Sequence, residues 1–198
     1  MPFVFNIDDT VNDVDLTPYK HLTTWHENTV YWDAAASYDH YKLLAFLSKQ
    51  LPQGTKVLDL GTYLGMSALA LATNPGVIVY TYDIVDCIRK DVPSILNVPN
   101  IFPVIKNGID DLHLQLDCPL IIMDVDPHDG KQERVIIQTL QNLNYTGIVL
   151  CDDIHISQDM KNFWNDVPLK KIDVTKYGHV TGTGIIVFDP ATIDVVLQ

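Results

Sequence analysis

The sequence predicts an α/β chain: a mostly parallel sheet covered by helices on both faces. Three observations lead there. The apolar run Lys56 to Leu60 breaks at Gly61, passes a second glycine at Gly65, and resumes as the helical stretch Ser67-Ala68-Leu69-Ala70-Leu71. Strand, glycine turn and helix in that order open a nucleotide-binding βαβ unit. Further apolar runs alternate with segments of helical period. Four strand ends carry acids: Asp59, Asp83, Asp124 and the pair Asp152-Asp153. With no repeats, low-complexity segments or linker, the 198 residues read as one domain, an N-terminal arm (1–36) on a core (37–198).

The arm alternates acidic, polar and aromatic residues with little periodicity and reads as carrying one short helix. Its crowd of His21, Trp25, His26, Tyr31 and Trp32 suits packing onto the domain, covering a small-molecule pocket, or contact with a second copy of the chain. From Asp39, apolar residues at Tyr41, Leu44, Ala45, Leu47 and Leu51 recur at helical steps, and Pro52 and Gly54 close the helix. Asn74-Pro75-Gly76 is a turn, followed by a strand from Val77 to Tyr82 that ends in Asp83 and Ile84. Asp91 to Asn100 reads as ragged helix and loop, and Ile101 to Lys106 as the third strand. Asn107-Gly108 then turns into a short helix from Ile109. Leu120 to Met123 is the fourth strand, and Lys131 to Leu143 a helix with Val135, Ile136, Leu140 and Leu143 as its apolar stripe. Gly147 to Cys151 is the fifth strand, and Ser157 to Val167 a helix with Met160, Phe163 and Trp164 on one side. Two last strands, Leu169 to Val174 and Gly184 to Phe188, flank the glycine-rich loop Tyr177 to Gly184.

The first glycine turn selects the ligand. A dinucleotide fingerprint needs a middle glycine where this chain has Tyr63, and a third glycine that it lacks, which disfavours a nicotinamide-dependent oxidoreductase. Present instead is Asp59-x-Gly61-x-x-x-Gly65. Gly61 permits a sharp exit from the strand, Gly65 a close approach of backbone to ligand, and Ser67 can cap the helix. Asp83 stands twenty-four residues after Asp59, where a carboxylate can accept from both hydroxyls of a ribose.

This pattern resembles motif I of class I S-adenosylmethionine-dependent methyltransferases, and Leu-Gly-Thr-Tyr-x-Gly-x-Ser-Ala is similar to the catechol O-methyltransferase-like branch. The resemblance spans roughly Asp39 to Asp189. It implies a Rossmann-like sandwich with a seven-stranded sheet whose final pair supplies an antiparallel strand. It also implies S-adenosylmethionine as cofactor, held by Asp59, Gly61, Thr62, Tyr63, Gly65, Ser67, Asp83, Ile84 and Asp124. Asn107, Gly108 and Ile109 would face the adenine, although Asn-Gly is equally a good turn. Ser37, His40 and Tyr41 would lie near the ligand edge, or serve as cap and surface.

Composition narrows the acceptor. A formal charge of −12 without a basic cluster of four or more disfavours nucleic acid and a membrane surface. No window reaches 18 apolar residues. The N-terminus lacks a signal-peptide pattern, and three isolated cysteines suit reduced thiols, so the expected setting is cytoplasmic. The expected acceptor is a small hydroxylated molecule. The alternative is a catalytically silent cofactor-binding fold serving as a partner or regulatory subunit.

Several carboxylates around one crevice call for a positive charge. A sulfonium supplies one; a divalent cation supplies two, and oxygen ligands suit Mg²⁺ or Ca²⁺. The resemblance implies a metal at Asp124, Asp152 and Asp153. Asp153, where the catechol enzymes have Asn, is closer to the metal-dependent sugar O-methyltransferases. Lys131 comes seven residues after Asp124, later than that branch's lysine, and the Pro127-His128 loop is not one of its features. Without metal, the acids read as helix caps and Asx turns. Histidine is then the proton acceptor: His128 first, His155 second, with His179 closing over the acceptor.

Overall fold

A computed structural model describes residues 2–26, 29–30, 32, 38–90 and 93–198. Eleven strands and four helices of eight or more residues or of the glycine turn organise them. They are β1 (Phe3–Ile7), β2 (Thr24–His26), β3 (Thr29–Val30), α1 (Tyr38–Lys49), β4 (Lys56–Leu60), α2 (Met66–Leu71), β5 (Ile78–Asp83) and β6 (Ile101–Ile105). There follow β7 (Leu120–Met123), α3 (Lys131–Asn142), β8 (Ile148–Cys151), α4 (Gln158–Asp166), β9 (Lys170–Asp173), β10 (Gly184–Val187) and β11 (Ile193–Leu197).

Seven strands form the central sheet in the order β6-β5-β4-β7-β8-β10-β9. β6, β5, β4, β7 and β8 are parallel, and β10 runs antiparallel to both β8 and β9. The apolar runs of β7 and β8 are wholly buried because helices cover both faces. One face packs Val57, Leu120, Ile122, Ile148 and Leu150 against α1, α2 and the N-terminal segment. The other packs Leu58, Leu60, Ile121, Met123 and Val149 against α3 and α4. Register positions the site. Leu60 lies opposite Tyr82 and Met123, and Met123 opposite Cys151, so Gly61, Asp83, Asp124 and Asp152 open along one edge.

Several sequence expectations are corrected. The arm holds a strand: β1 pairs in parallel with β11 as a separate two-stranded sheet, burying Phe5 and Ile7. Neither strand was expected, because each takes its register from a partner at the other end of the chain. Besides β1, the arm carries two 3-10 turns, Asp9–Asp13 and Thr17–Leu22, and the β2–β3 hairpin. Trp32 is buried and stacks on Tyr41, which favours packing for that residue. His21 is exposed, with Nδ1 3.0 Å from the Pro18 carbonyl. The side chains of Trp25, His26, Tyr31 and Ser37 lie outside the described residues. In α3 the buried stripe is Glu133, Ile136, Ile137 and Leu140, whereas Val135 is 47% exposed and Leu143 follows the helix end. The helical 3.6-residue period, phased on Glu133, turns position 135 outward.

Candidate active site

Strand order reverses between β4 and β7, with β5 and β6 on one side and β8 on the other. A ligand crevice is expected beyond the strand ends at such a point. A cleft of about 600 Å³ opens there. Gly61, Tyr63, Asp83, Ile84, Asn107, Gly108, Ile109, Asp124 and His128 all line it. Leu60, Tyr82, Val85, Cys87, Lys106, Val125, Asp126, Gln132 and Ile136 complete the lining; none of these was expected from the motifs as a ligand contact. Lys106 is paired with Asp111 at 2.5 Å, so the lining keeps an acidic balance through Asp83, Asp124 and Asp126.

Gly61 fits the turn through a close approach. Its φ is +102°, and a Cβ would stand 1.7 Å from the Asp124 carbonyl oxygen. The turn is fastened to β5, since the amides of Gly61 and Thr62 both donate to the Tyr82 carbonyl. Asp83 accepts from the Tyr63 amide (2.7 Å) and from Val85 N–H (3.0 Å), which fixes its carboxylate at the rim. Tyr63 itself has a positive φ of 42°. Asn107 uses its side chain as a turn acceptor for the Ile109 amide while lining the cleft, so both readings of that residue coexist.

Four motif residues, Asp59, Thr62, Gly65 and Ser67, sit behind the cleft instead of in it. Asp59 is fully buried and accepts from Thr81 Oγ1 (2.7 Å) and Ser67 Oγ (3.0 Å), and Thr81 meets Thr62 Oγ1 at 2.6 Å. Ser67 therefore supports Asp59; the helix is entered through Gly65, which has a left-handed backbone. Gly65 makes room for the Ile95 side chain, 2.4 Å from where a Cβ would be, and is absent from the cleft lining. The reason is that a carboxylate at position 59 shares its pleat face with Val57 and faces the sheet's interior.

Burial pushes the Asp59 carboxyl up to about 7, against the two hydroxyl donors. A folded-state pKa above the ordinary 3.8 means the native protein holds this proton more tightly than the unfolded chain. Its stabilisation is present at low pH and lost as pH rises from about 4 to about 7, amounting to at most about 4 kcal/mol. His40 has the opposite sign: burial pushes it down to about 4, so its contribution is lost as pH falls through that same window. Asp59→Asn should therefore gain stability relative to the parent as pH rises from 4 to 7, measured by chemical denaturation; parallel curves would refute the assignment.

At the far end of the cleft, His128 stands among carboxylates. Its Nε2 lies 3.7 Å from Asp124 Oδ1, 3.5 Å from Asp126 Oδ1 and 3.6 Å from Asp153 Oδ2. Burial in the cleft wall and the Asp152 charge push the Asp124 carboxyl up. Asp152 is likewise raised, by burial and by Asp153. Burial also works against the Asp153 charge, yet hydrogen bonds from His179 and Thr181 hold its carboxyl below the ordinary range. His155 turns away from the cleft and pairs with Asp173 at 2.8 Å, so only His128 of the two expected bases faces it. The acid pair at 152–153 is not joined by Asp124 in one compact set; among the described residues it is His179 that joins them, with donor atoms within 4.8 Å of one another. The histidine reaches the acid turn because two backbone bonds, Ile154 N to Gly182 O and His155 N to Thr181 O, draw the loop before β10 onto it.

Sheet order, the antiparallel β10 and the cleft together define the Rossmann-like methyltransferase fold. Several similar solved structures bear methyltransferase names. A candidate caffeoyl-CoA O-methyltransferase of Staphylococcus aureus is 15% identical over 68% of this chain and 76% of its own, with a TM-score of 0.52. Precorrin-6y C5,15-methyltransferase of Geobacter metallireducens is 12% identical over 73% and 84%, also at 0.52. A candidate methyltransferase of Streptococcus mutans, solved with S-adenosylhomocysteine, is 14% identical over 73% and 94%, again at 0.52. No family model and no curated protein matches the sequence. Among the described residues, no helix is long and apolar enough to cross a membrane.

Proposed function

We propose that the protein is an S-adenosylmethionine-dependent methyltransferase acting on a hydroxyl of a small molecule. The observation that carries this reading is the convergence of Gly61, Asp83 and Asp124 on a cleft of about 600 Å³ at the strand-order reversal. The residues present suit the cofactor. Asp83 is fixed at the rim with acceptor capacity for ribose hydroxyls. Tyr63, Ile84 and Val85 leave apolar surface open around it, 49%, 73% and 54% exposed. An acidic cleft favours a sulfonium and opposes a phosphorylated ligand.

When bound, S-adenosylmethionine supplies a methyl group on a positively charged sulfur. The chain's own part is to hold and orient the acceptor and to take its proton. His128 opens on the cleft and can accept that proton at Nε2, while Asp124 and Asp153 stabilise the imidazolium that results. Ile136 and Val125 supply apolar wall on the acceptor side. Proximity then carries most of the acceleration.

Calorimetric titration with S-adenosylmethionine and S-adenosylhomocysteine tests this reading. Both should bind the parent, and Asp83→Ala should lose about 1.5–3 kcal/mol of affinity, the range for hydrogen bonds to a charged group. Equal affinity in parent and variant would remove the cofactor assignment. An acceptor screen then decides between transfer and a silent binding fold.

A further inference from the structure

We propose that the methyl acceptor is a small amino alcohol in its ammonium form, with its hydroxyl at His128 and its ammonium held by Asp126. This substrate class rests on the methyltransferase reading. Asp83, Asp124 and Asp126 line the cleft, and Lys106 is the single lysine or arginine among the described lining residues. Lys106 is committed to Asp111 at 2.5 Å, and that bond holds the Asp111 carboxyl below its usual range. An anionic acceptor would meet three carboxylates and no uncommitted lysine or arginine to offset them. The formal charge of −12 on the whole chain draws a cation toward the same cleft.

The three carboxylates do not serve alike. Asp83 is fixed by the Tyr63 and Val85 amides and keeps its remaining acceptor capacity for a ribose. Burial and the Asp152 charge push the Asp124 carboxyl up, which makes it the weaker anion. Asp126, in the loop between β7 and α3, has a side chain that is 98% exposed. Among the described residues no lysine or arginine pairs with it, and its ionic contact is His128, whose Nε2 lies 3.5 Å from Oδ1. An imidazole that is to accept a proton is neutral and leaves that carboxylate uncompensated. A carboxylate that lines the cleft in this way is left to recognise a cation on the ligand.

Spacing sets where the amine sits in the acceptor. A hydroxyl donating to Nε2 and an ammonium donating to Asp126 Oδ1 each stand about 2.7–3.2 Å from their partners. Those partners are 3.5 Å apart, so both groups fit side by side on one small molecule, with the amine two or three carbons from the hydroxyl. Val125 and Ile136 give the carbon skeleton an apolar wall, and Gln132 adds a polar group without charge. The ammonium nitrogen has no lone pair. The hydroxyl oxygen is therefore the nucleophile, and its proton goes to His128 Nε2. Specificity arises here as much from repulsion of anions as from attraction of the amine.

The test uses three phenols of one shape: 2-(aminomethyl)phenol, 2-(hydroxymethyl)phenol and salicylate. Beside the hydroxyl they carry a cation, no charge and an anion. Each is titrated by calorimetry into the full chain saturated with S-adenosylhomocysteine. The aminomethyl compound should bind about tenfold tighter than the neutral one, the size of one hydrogen bond to a charged group, and salicylate should bind weakest. Added salt should narrow the gap. Asp126→Asn, at an exposed position, should bring the ratio of the first two to about one at an unchanged melting temperature. Asp126→Lys should reverse the order of cation and anion. Three results would overturn the acceptor class while S-adenosylhomocysteine still binds: a neutral or anionic compound that binds as well as the cation, no binding of any of the three, or a preference that survives in Asp126→Asn. Failure of S-adenosylhomocysteine to bind the parent is distinct, since it overturns the methyltransferase reading and the acceptor class with it.

Discussion

Gly61→Ala is expected to destabilise the protein by roughly 3 kcal/mol or more and to abolish measurable cofactor binding. The added Cβ would stand 1.7 Å from the Asp124 carbonyl oxygen and 2.8 Å from its carbon, both backbone atoms at the end of a buried strand. No rotamer relieves that contact, so either the turn or the β7 end must move. Overpacking of this kind costs about 1–3 kcal/mol. A side chain at φ +102° adds roughly 1–3 kcal/mol of backbone strain. For a chain of this size the melting temperature should fall by roughly 6–12 °C. Gly65→Ala is the comparison: at φ +82° its Cβ meets the buried Ile95 side chain, so stability should fall as well, but binding should survive because Gly65 does not line the cleft. A Gly61→Ala protein with parental stability and affinity would place the cofactor elsewhere.

His128→Gln is expected to lower the rate of methyl transfer by about 10²–10⁴-fold, the usual contribution of a general base. Cofactor affinity should change less, since the hydroxyl-accepting carboxylate of Asp83 and the Gly61 turn are held by bonds to β5 and the Tyr63 and Val85 amides that do not involve His128. Single-turnover formation of S-adenosylhomocysteine, with an acceptor from the screen, separates the two effects. The imidazole is set by its strained backbone (φ 54°) and by a bond from Ser157 Oγ to its carbonyl (3.4 Å). Ser157→Ala should therefore give a smaller defect of the same kind. If His128→Gln turns over at the parental rate, the proton leaves by another route.

The sequence by itself determined the sheet. The strand at 56–60, the acid-terminated strands that follow, and the helices between them were legible because burial on both faces demands uninterrupted apolar runs, and these are local. Asp83 and Gly61 could be placed at the cleft for the same reason: Asp83 ends β5 and Gly61 follows β4, strands whose direction the parallel topology dictates. Tertiary structure decided the rest. Only pairing across the chain turned Phe3–Ile7 and Ile193–Leu197 into partners, since neither segment carries its own register. Pleat phase, set by what covers each face, sent Asp59 into a buried network behind the cleft, where Ser67 of α2 donates to it. Strand-end position alone grouped Asp124 with Asp152 and Asp153, yet ligand geometry depends on where loops are fastened. Two backbone bonds carry His179 to the acid pair, while the turn after β7 gives Asp124 to His128. His179 follows Asp153 by 26 residues, and the two meet through loop closure, which no periodicity or spacing records.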